Sequence, residues 1–169
     1  MLGDAHVAAR HNDLGRLDFI EACTHETMRL RPVAPINIQQ AVRDTAAGGV
    51  ALPAGALVMC LMRPAAVDER HFAQAATFRP ERWLEGLSAS SSKRVAMPFG
   101  AGPRICPGRY LALAEMKMVL AMLLRTFEIE SVAPADGGEV RERLALAMSP
   151  VGLRLRLRVR AESGVRSST

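Results

Sequence analysis

One cysteine stands out for its neighbours. The stretch Phe99-Gly100-Ala101-Gly102-Pro103-Arg104-Ile105-Cys106-Pro107-Gly108 frames Cys106 with Gly102 and Gly108 and puts a basic residue two positions before it. A helix-forming run follows at once. Such a pattern suits one chemistry, the presentation of a thiolate to a metal with the backbone folded closely round the sulfur. A helix N-terminus carries partial positive charge that favours thiolate over thiol, and Arg104 adds a full charge nearby. Gly102 and Gly108 permit positive φ and close approach, and amides turned toward the sulfur would hold its charge. The plainer reading is a buried, inert thiol. Five positions of fixed type within ten residues argue against it.

Glu26 and Arg29 form a second constellation. Spaced by three, they share one face of a helix and lie close enough for an ion pair. Taken alone, that pair reads as a surface contact worth little.

Composition narrows the class. The chain has 169 residues, 49% hydrophobic and 23% charged, enough for one domain with a core. No apolar run reaches the length of a bilayer span. Met1 to Arg10 holds no apolar signal core, so no targeting peptide is expected. Cys23, Cys60 and Cys106 form no CxxC pair. That spacing speaks against a zinc site or disulfide scaffold and for a reducing compartment. The net charge is +5, nearly all from arginine, with lysine only at Lys93 and Lys117. The alternation Leu153-Arg154-Leu155-Arg156-Leu157-Arg158-Val159-Arg160 predicts a half-buried strand with one apolar and one arginine face. Nucleic acid is not an expected partner, since aromatics make up 4% of the chain and none lies in that strand.

The positioning elements follow from periodicity. Leu17, Ile20, Thr24 and Thr27 or Met28 predict a helix over 16–30, stopped by Pro32 and Pro35. Residues 33–42 read as extended, with turns at 46–49 and 53–55 and a short buried strand at 57–61. A short helix is expected over 64–71, then a stretch without period ending in a serine-rich loop near Ser92. Pro107 to Arg125 predicts a helix with Pro107 in its first turn and a stripe of Leu113, Met116, Leu120 and Leu123 or Leu124. A short strand is expected at 127–129 and a hairpin over 144–160, turned at Ser149-Pro150-Val151-Gly152. The class is mainly α with small antiparallel β-sheets.

Three segments together resemble the cytochrome P450 family. The cysteine stretch reads F-x-x-G-x-R-x-C-x-G, as in the family's haem-binding loop. Glu26-Thr27-Met28-Arg29-Leu30-Arg31-Pro32 is similar to the end of its K helix, and Phe78-Arg79-Pro80-Glu81-Arg82-Trp83 is similar to its PERF-type segment. The resemblance runs from about Gly15 to about Arg160 and implies a partial P450 fold, K helix to C-terminus. Residues 1–169 would form a single partial domain, with 1–15 and 161–169 flexible. It implies haem b, iron protoporphyrin IX, held through Cys106 as metal ligand, with Phe99, Gly102, Arg104 and Gly108 lining the cofactor. Phe99 would shield the thiolate, and Arg104 would pair with a haem propionate. Glu26, Arg29 and Arg82 would form a buried triad that fixes the cysteine loop. Two loops would face substrate: Val33, Ala34, Pro35 and Ile36 on one side, Met148, Pro150 and Val151 on the other.

The implied activity is that of a haem-thiolate monooxygenase. Thiolate donation favours O–O cleavage, and one oxygen atom enters a small, apolar organic substrate. The implied partners are dioxygen and an electron donor, a ferredoxin or flavin reductase, docking near Arg94, Arg109 and Lys117. Other readings are a haem-thiolate peroxygenase or isomerase, or a non-catalytic remnant. Whole family members are more than twice as long and carry a central helix with a proton-delivering threonine that is not found here. The isolated chain is therefore expected to be inactive. It is expected to be soluble on the cytoplasmic side, with membrane attachment left open. Gln39 stands where many relatives carry a propionate-holding arginine, and Ala66-Val67 replaces a usual His-Arg pair ahead of Asp68. Arg63 or Arg43 would have to compensate.

Overall fold

The computed structural model describes residues 11–84 and 95–160. A 3-10 helix, His11–Arg16, leads into α1, Asp18–Leu30. Leu14 of that short helix is buried, inside the stretch expected to be flexible. Residues 1–10 and 161–169, Arg94 and most of the serine-rich loop lie outside the described residues. Buried positions on α1 are Ala22, Thr24, Glu26, Met28 and Arg29. Thr24 and Met28 follow the expected stripe, whereas Thr27 faces out and bonds the Cys23 carbonyl at 2.8 Å.

Two of the fold's four two-stranded antiparallel ribbons come next. The strand β1 (Ile36–Gln40) pairs with β4 (Leu57–Leu61), and between them β2 (Thr45–Ala47) pairs with β3 (Val50–Leu52). The strand β4 was expected to be buried, yet Leu57, Met59 and Leu61 are exposed. The short helix lies earlier than expected: α2 spans Met62–Ala66. Beyond its C-cap, Val67, Asp68 accepts the Arg70 amide at 2.8 Å, and residues 67–79 turn around the buried Phe72 and Ala75. A 3-10 turn, Pro80–Trp83, packs on α1. The tight core is Ala66, Phe72, Ala75 and Ala96, with Trp83 and Val95 against it.

The second long helix, α3, spans Arg109–Thr126. Pro107 therefore precedes the first turn, and Gly108 is the N-cap. The fully buried residues of α3 are Lys117 and Ala121, and the expected leucine stripe is only half-buried at best, with Leu124 exposed. Contact with α1 governs that face: Lys117 Nζ donates to Glu21 at 2.5 Å.

The C-terminal part departs from the expected hairpin. The strand β5 (Phe127–Pro134) is longer than predicted and pairs with β8 (Leu153–Val159). Inside that pair, β6 (Arg141–Leu144) pairs with β7 (Met148–Val151). The tight turn falls at Ala145–Ala147, and Gly152, at φ +67, carries the chain from one ribbon to the next. Strand β8 needs a partner for its backbone groups, and β5 extends to supply it. Its cross-strand pairs sort by face: Ile129 opposite Leu157 and Val132 opposite Leu155, but Glu128 opposite Arg158. The half-burial expected for β8 is not observed, since Leu155, Leu157 and Val159 are exposed.

Candidate functional site

The cysteine loop is built by glycine conformation and one long backbone bond. Gly100 and Gly102 take φ +72 and +68, a left-handed region costly for any residue with a Cβ. These two turns bring the Cys106 amide back to the Phe99 carbonyl at 2.9 Å, which closes the loop. Ile105 N–H also returns to Gly102 O, at 3.1 Å. Phe99 and Cys106 are half-buried, while Gly102, Arg104 and Gly108 are exposed.

Two expectations for this loop change. Gly108 has φ −82, so it is not a left-handed position, and a Cβ there would lie 3.9 Å from Cys106 Sγ in ordinary contact. Gly100 takes that conformational role, and the G-x-G spacing was the available signal. No amide among the described residues hydrogen-bonds the Cys106 sulfur, and the amide of Cys106 itself is spent on Phe99.

Behind the loop, Glu26, Arg29 and Arg82 meet. Glu26 and Arg29 form a bidentate pair, Nε to Oε2 at 2.9 Å and Nη2 to Oε1 at 2.8 Å, with both side chains at 0% exposure. Arg82 Nε reaches Glu26 Oε1 at 3.1 Å. Two partners were not foreseen: the Arg79 amide on Oε1 and Trp83 Nε1 on Oε2, each at 2.9 Å. Arg29 spends its remaining donors on the carbonyls of Ala66, Ala75 and Thr77, and Arg82 donates to Ala73 and Gln74. Phe72 lies beneath both guanidinium groups, 4.9 Å from Arg29 and 5.9 Å from Arg82. Burial pushes the Glu26 carboxyl up, but hydrogen bonds from Arg29, the Arg79 amide and Trp83 outweigh it and hold the group below its ordinary value.

The link to the loop is direct. Ala96 belongs to the Phe72 core, and Ala96, Met97 and Pro98 line a small cavity with Met28, Arg29, Pro32, Met62 and Ala66. Residues 95–98 lead straight into Phe99, so the base of the cysteine loop packs against the same core as the charge network.

The expected substrate-facing residues fall into two neighbouring stretches. Val33 and Ala34 are exposed, Pro35 and Ile36 half-buried. Met148 is half-buried, and Pro150 and Val151 are exposed. Met148 N–H donates to Val33 O at 2.7 Å, which joins the two stretches.

The expected basic patch does not form as read. Lys117 is 7% exposed and committed to Glu21. Arg109 lies over the Tyr110 ring at 4.1 Å and bonds its hydroxyl at 2.7 Å. Nor does Arg63 stand in for the missing strand arginine, since it is bound to Glu142 at 2.7 Å. Gln39 donates to Asn37 at 2.8 Å, and Arg43 sits in the exposed bend after β1.

The donor set fits a metal that brings most of its own ligands. No group of three or more His, Cys, Asp and Glu side chains converges among the described residues. A bare ion would find too few donors at Cys106, whereas iron in a porphyrin needs one axial thiolate from the protein.

A buried Glu-Arg-Arg network, a cysteine loop closed on a phenylalanine carbonyl and four small ribbons stand together in one fold. The family profile "Cytochrome P450" matches residues 1–156, and the chain belongs to the cytochrome P450 family. It is 34% identical over 146 residues to pluviatolide synthase of Sinopodophyllum hexandrum, covering 85% of this chain and 30% of that protein. It is 34% identical over 159 residues to averantin hydroxylase of Dothistroma septosporum, covering 89% of this chain and 30% of that protein. The crystal structure of a cytochrome P450, CYP102L1, superposes with a TM-score of 0.79 at 31% identity, covering 94% of this chain and 36% of the other. The chain thus spans about a third of the length of these relatives. Among the described residues no helix is long and apolar enough to cross a membrane.

Proposed function

We propose that this chain supplies the thiolate side of a P450-type monooxygenase, with Cys106 as the axial ligand of haem b. Bound haem would supply activation of dioxygen and insertion of one oxygen atom into an apolar organic substrate. The electrons would come from a ferredoxin or a flavin reductase. The chain's own residues do the holding. Phe99 and its carbonyl restrain Cys106, and the exposed Arg104 would pair with a carboxylate of the cofactor. Glu26, Arg29 and Arg82 keep the loop's base in place. Val33 to Ile36 and Met148 to Val151 would face the substrate.

The closure of the loop on the Phe99 carbonyl carries this reading, since it holds one half-buried sulfur at a fixed point. The test is reconstitution of the 169-residue chain with haem, followed by reduction under carbon monoxide. A Soret band characteristic of thiolate ligation is expected in the wild type and is expected to be lost in Cys106→His. A spectrum indifferent to the substitution overturns the ligand assignment. A peroxygenase or isomerase would share that spectrum and differ in needing no electron donor.

A further inference from the structure

Glu142 was not singled out by any pattern in the sequence, yet it sits where three segments converge. Its Oε1 accepts from Arg31 Nη1 at 3.1 Å and its Oε2 from Arg63 Nη1 at 2.7 Å. Each oxygen serves one arginine, and the carboxylate is only 20% exposed. Arg31 is the C-cap of α1 and directly precedes Pro32. Arg63 follows Met62, whose amide holds the Pro35 carbonyl at 2.9 Å. The stretch Pro32–Ile36 is therefore gripped near both ends by residues that bind Glu142 or adjoin one that does.

Glu142 also belongs to the ribbon bearing the second stretch. It lies opposite Pro150 in the β6–β7 register, and Leu144 lies opposite Met148. The direct link between the stretches is the Met148 amide on Val33 O at 2.7 Å. One such bond leaves the ribbon free to hinge about it. Glu142 is two residues along the strand from that point, about 7 Å away at the usual rise. Two ties at that separation fix direction as well as distance. Burial opposes ionisation of Glu142, but Arg63 and Arg31 hold its carboxyl below the ordinary value, so the clamp is charged at neutral pH.

We infer that Glu142 is a positioning residue: through Arg31 and Arg63 it sets how Pro32–Ile36 and Met148–Val151 lie against each other, and with it the shape of the surface they jointly offer to an apolar molecule. The second half of this statement rests on the proposed function, which makes these stretches face the substrate. Removing the charge would leave Arg31 and Arg63 side by side without their counter-ion and release the β6–β7 ribbon from the end of α1.

The test uses the full chain and amide hydrogen exchange read by NMR. In Glu142→Gln the Met148 amide is expected to exchange at least about tenfold faster, while the amides of Ala22 and Met28 in α1 stay within about twofold. Glu142→Asp, which keeps the charge, restores part of the protection. If Glu142→Gln fails to fold, Arg63→Leu carries the same measurement. In the haem-loaded chain, the ratio of binding constants for imidazole and 4-phenylimidazole is expected to shift at least threefold in the same variant. Unchanged exchange at Met148, or an equal rise throughout α1, overturns the clamp. A freed Met148 with an unchanged ratio overturns its role in selectivity. An iron spectrum indifferent to Cys106 removes the haem reading but leaves the exchange result standing, so the two failures are separable.

Discussion

Arg29 and Arg158 each face a glutamate, one on α1 and the other on the β5–β8 ribbon, in opposite surroundings. Arg29 and Glu26 are both at 0% exposure, and every nitrogen of that guanidinium has an acceptor. Arg158 is 61% exposed and shared between Glu128 and Glu130. Local sequence points the other way only for the first pair: E-x-x-R alone reads as a solvated helix pair, whereas the alternating strand already puts Arg158 on its charged face. The difference teaches that an ion pair's weight comes from what surrounds it. In water the attraction is screened and side-chain entropy opposes it. Inside the core, loss of one partner leaves the other charge desolvated and unmatched.

The largest expected effect tests the buried member. Glu26→Ala strands Arg29 and weakens Arg82 and Trp83 at once, at a cost of about 3–5 kcal/mol. That is a large share of a small domain's stability, so little soluble folded protein should be recovered. Arg82→Ala should act in the same direction, more weakly, because Arg82 is 11% exposed and water can enter. Soluble protein with an unchanged urea midpoint from either variant would break the comparison.

An intermediate case sharpens it. Lys117 is buried while its partner Glu21 is 41% exposed. Glu21→Ala leaves a buried ammonium unpaired and should cost about 1–3 kcal/mol. Lys117→Met leaves a carboxylate that water can reach, so it should cost less. The Lys117 hydrogen bond lowers the Glu21 carboxyl, with burial opposing it. A lowered folded pKa means that the contribution is complete above about pH 4.3 and is lost as pH falls through the lower folded value. Acid-unfolding profiles of the wild type and Glu21→Gln should therefore diverge above that range and converge below it.

The two glycines near the sulfur differ in the same manner. Gly102→Ala forces a Cβ into a left-handed backbone and should cost about 1–2 kcal/mol. Gly108→Ala meets Cys106 Sγ only at ordinary contact distance and should be near neutral for stability. Thermal melts of the two variants check the order. The smallest effect is expected for Arg158→Ala, within about 0.5 kcal/mol in urea denaturation. A larger loss there would mean that the ribbon's outer face is not simply solvated.

Much of the site was legible because its chemistry is local. The cysteine loop needs glycine where φ is positive and a basic residue near the sulfur, and both are visible within ten residues. Helix α1 was placed to within two residues at its start, since Pro32 and Pro35 bound its end. The ribbons were harder. A strand's partner depends on residues far along the chain, so β8 was assigned to a hairpin with its neighbour when it pairs with β5. The leucines of α3 promised a buried stripe, but the face it presents to α1 is chosen by Lys117 and Glu21.

By itself, the sequence determined what depends on neighbours in the chain: a glycine-framed cysteine, a helix stopped by prolines, and a glutamate one turn from an arginine. Only the tertiary structure decided which of these are buried and what completes them. The Arg79 amide and Trp83 join Glu26 from more than fifty residues away. Glu142 meets Arg63 across 79 positions. The physical reason is that desolvation acts on position in the folded volume, and that position is settled by packing between elements distant in the chain.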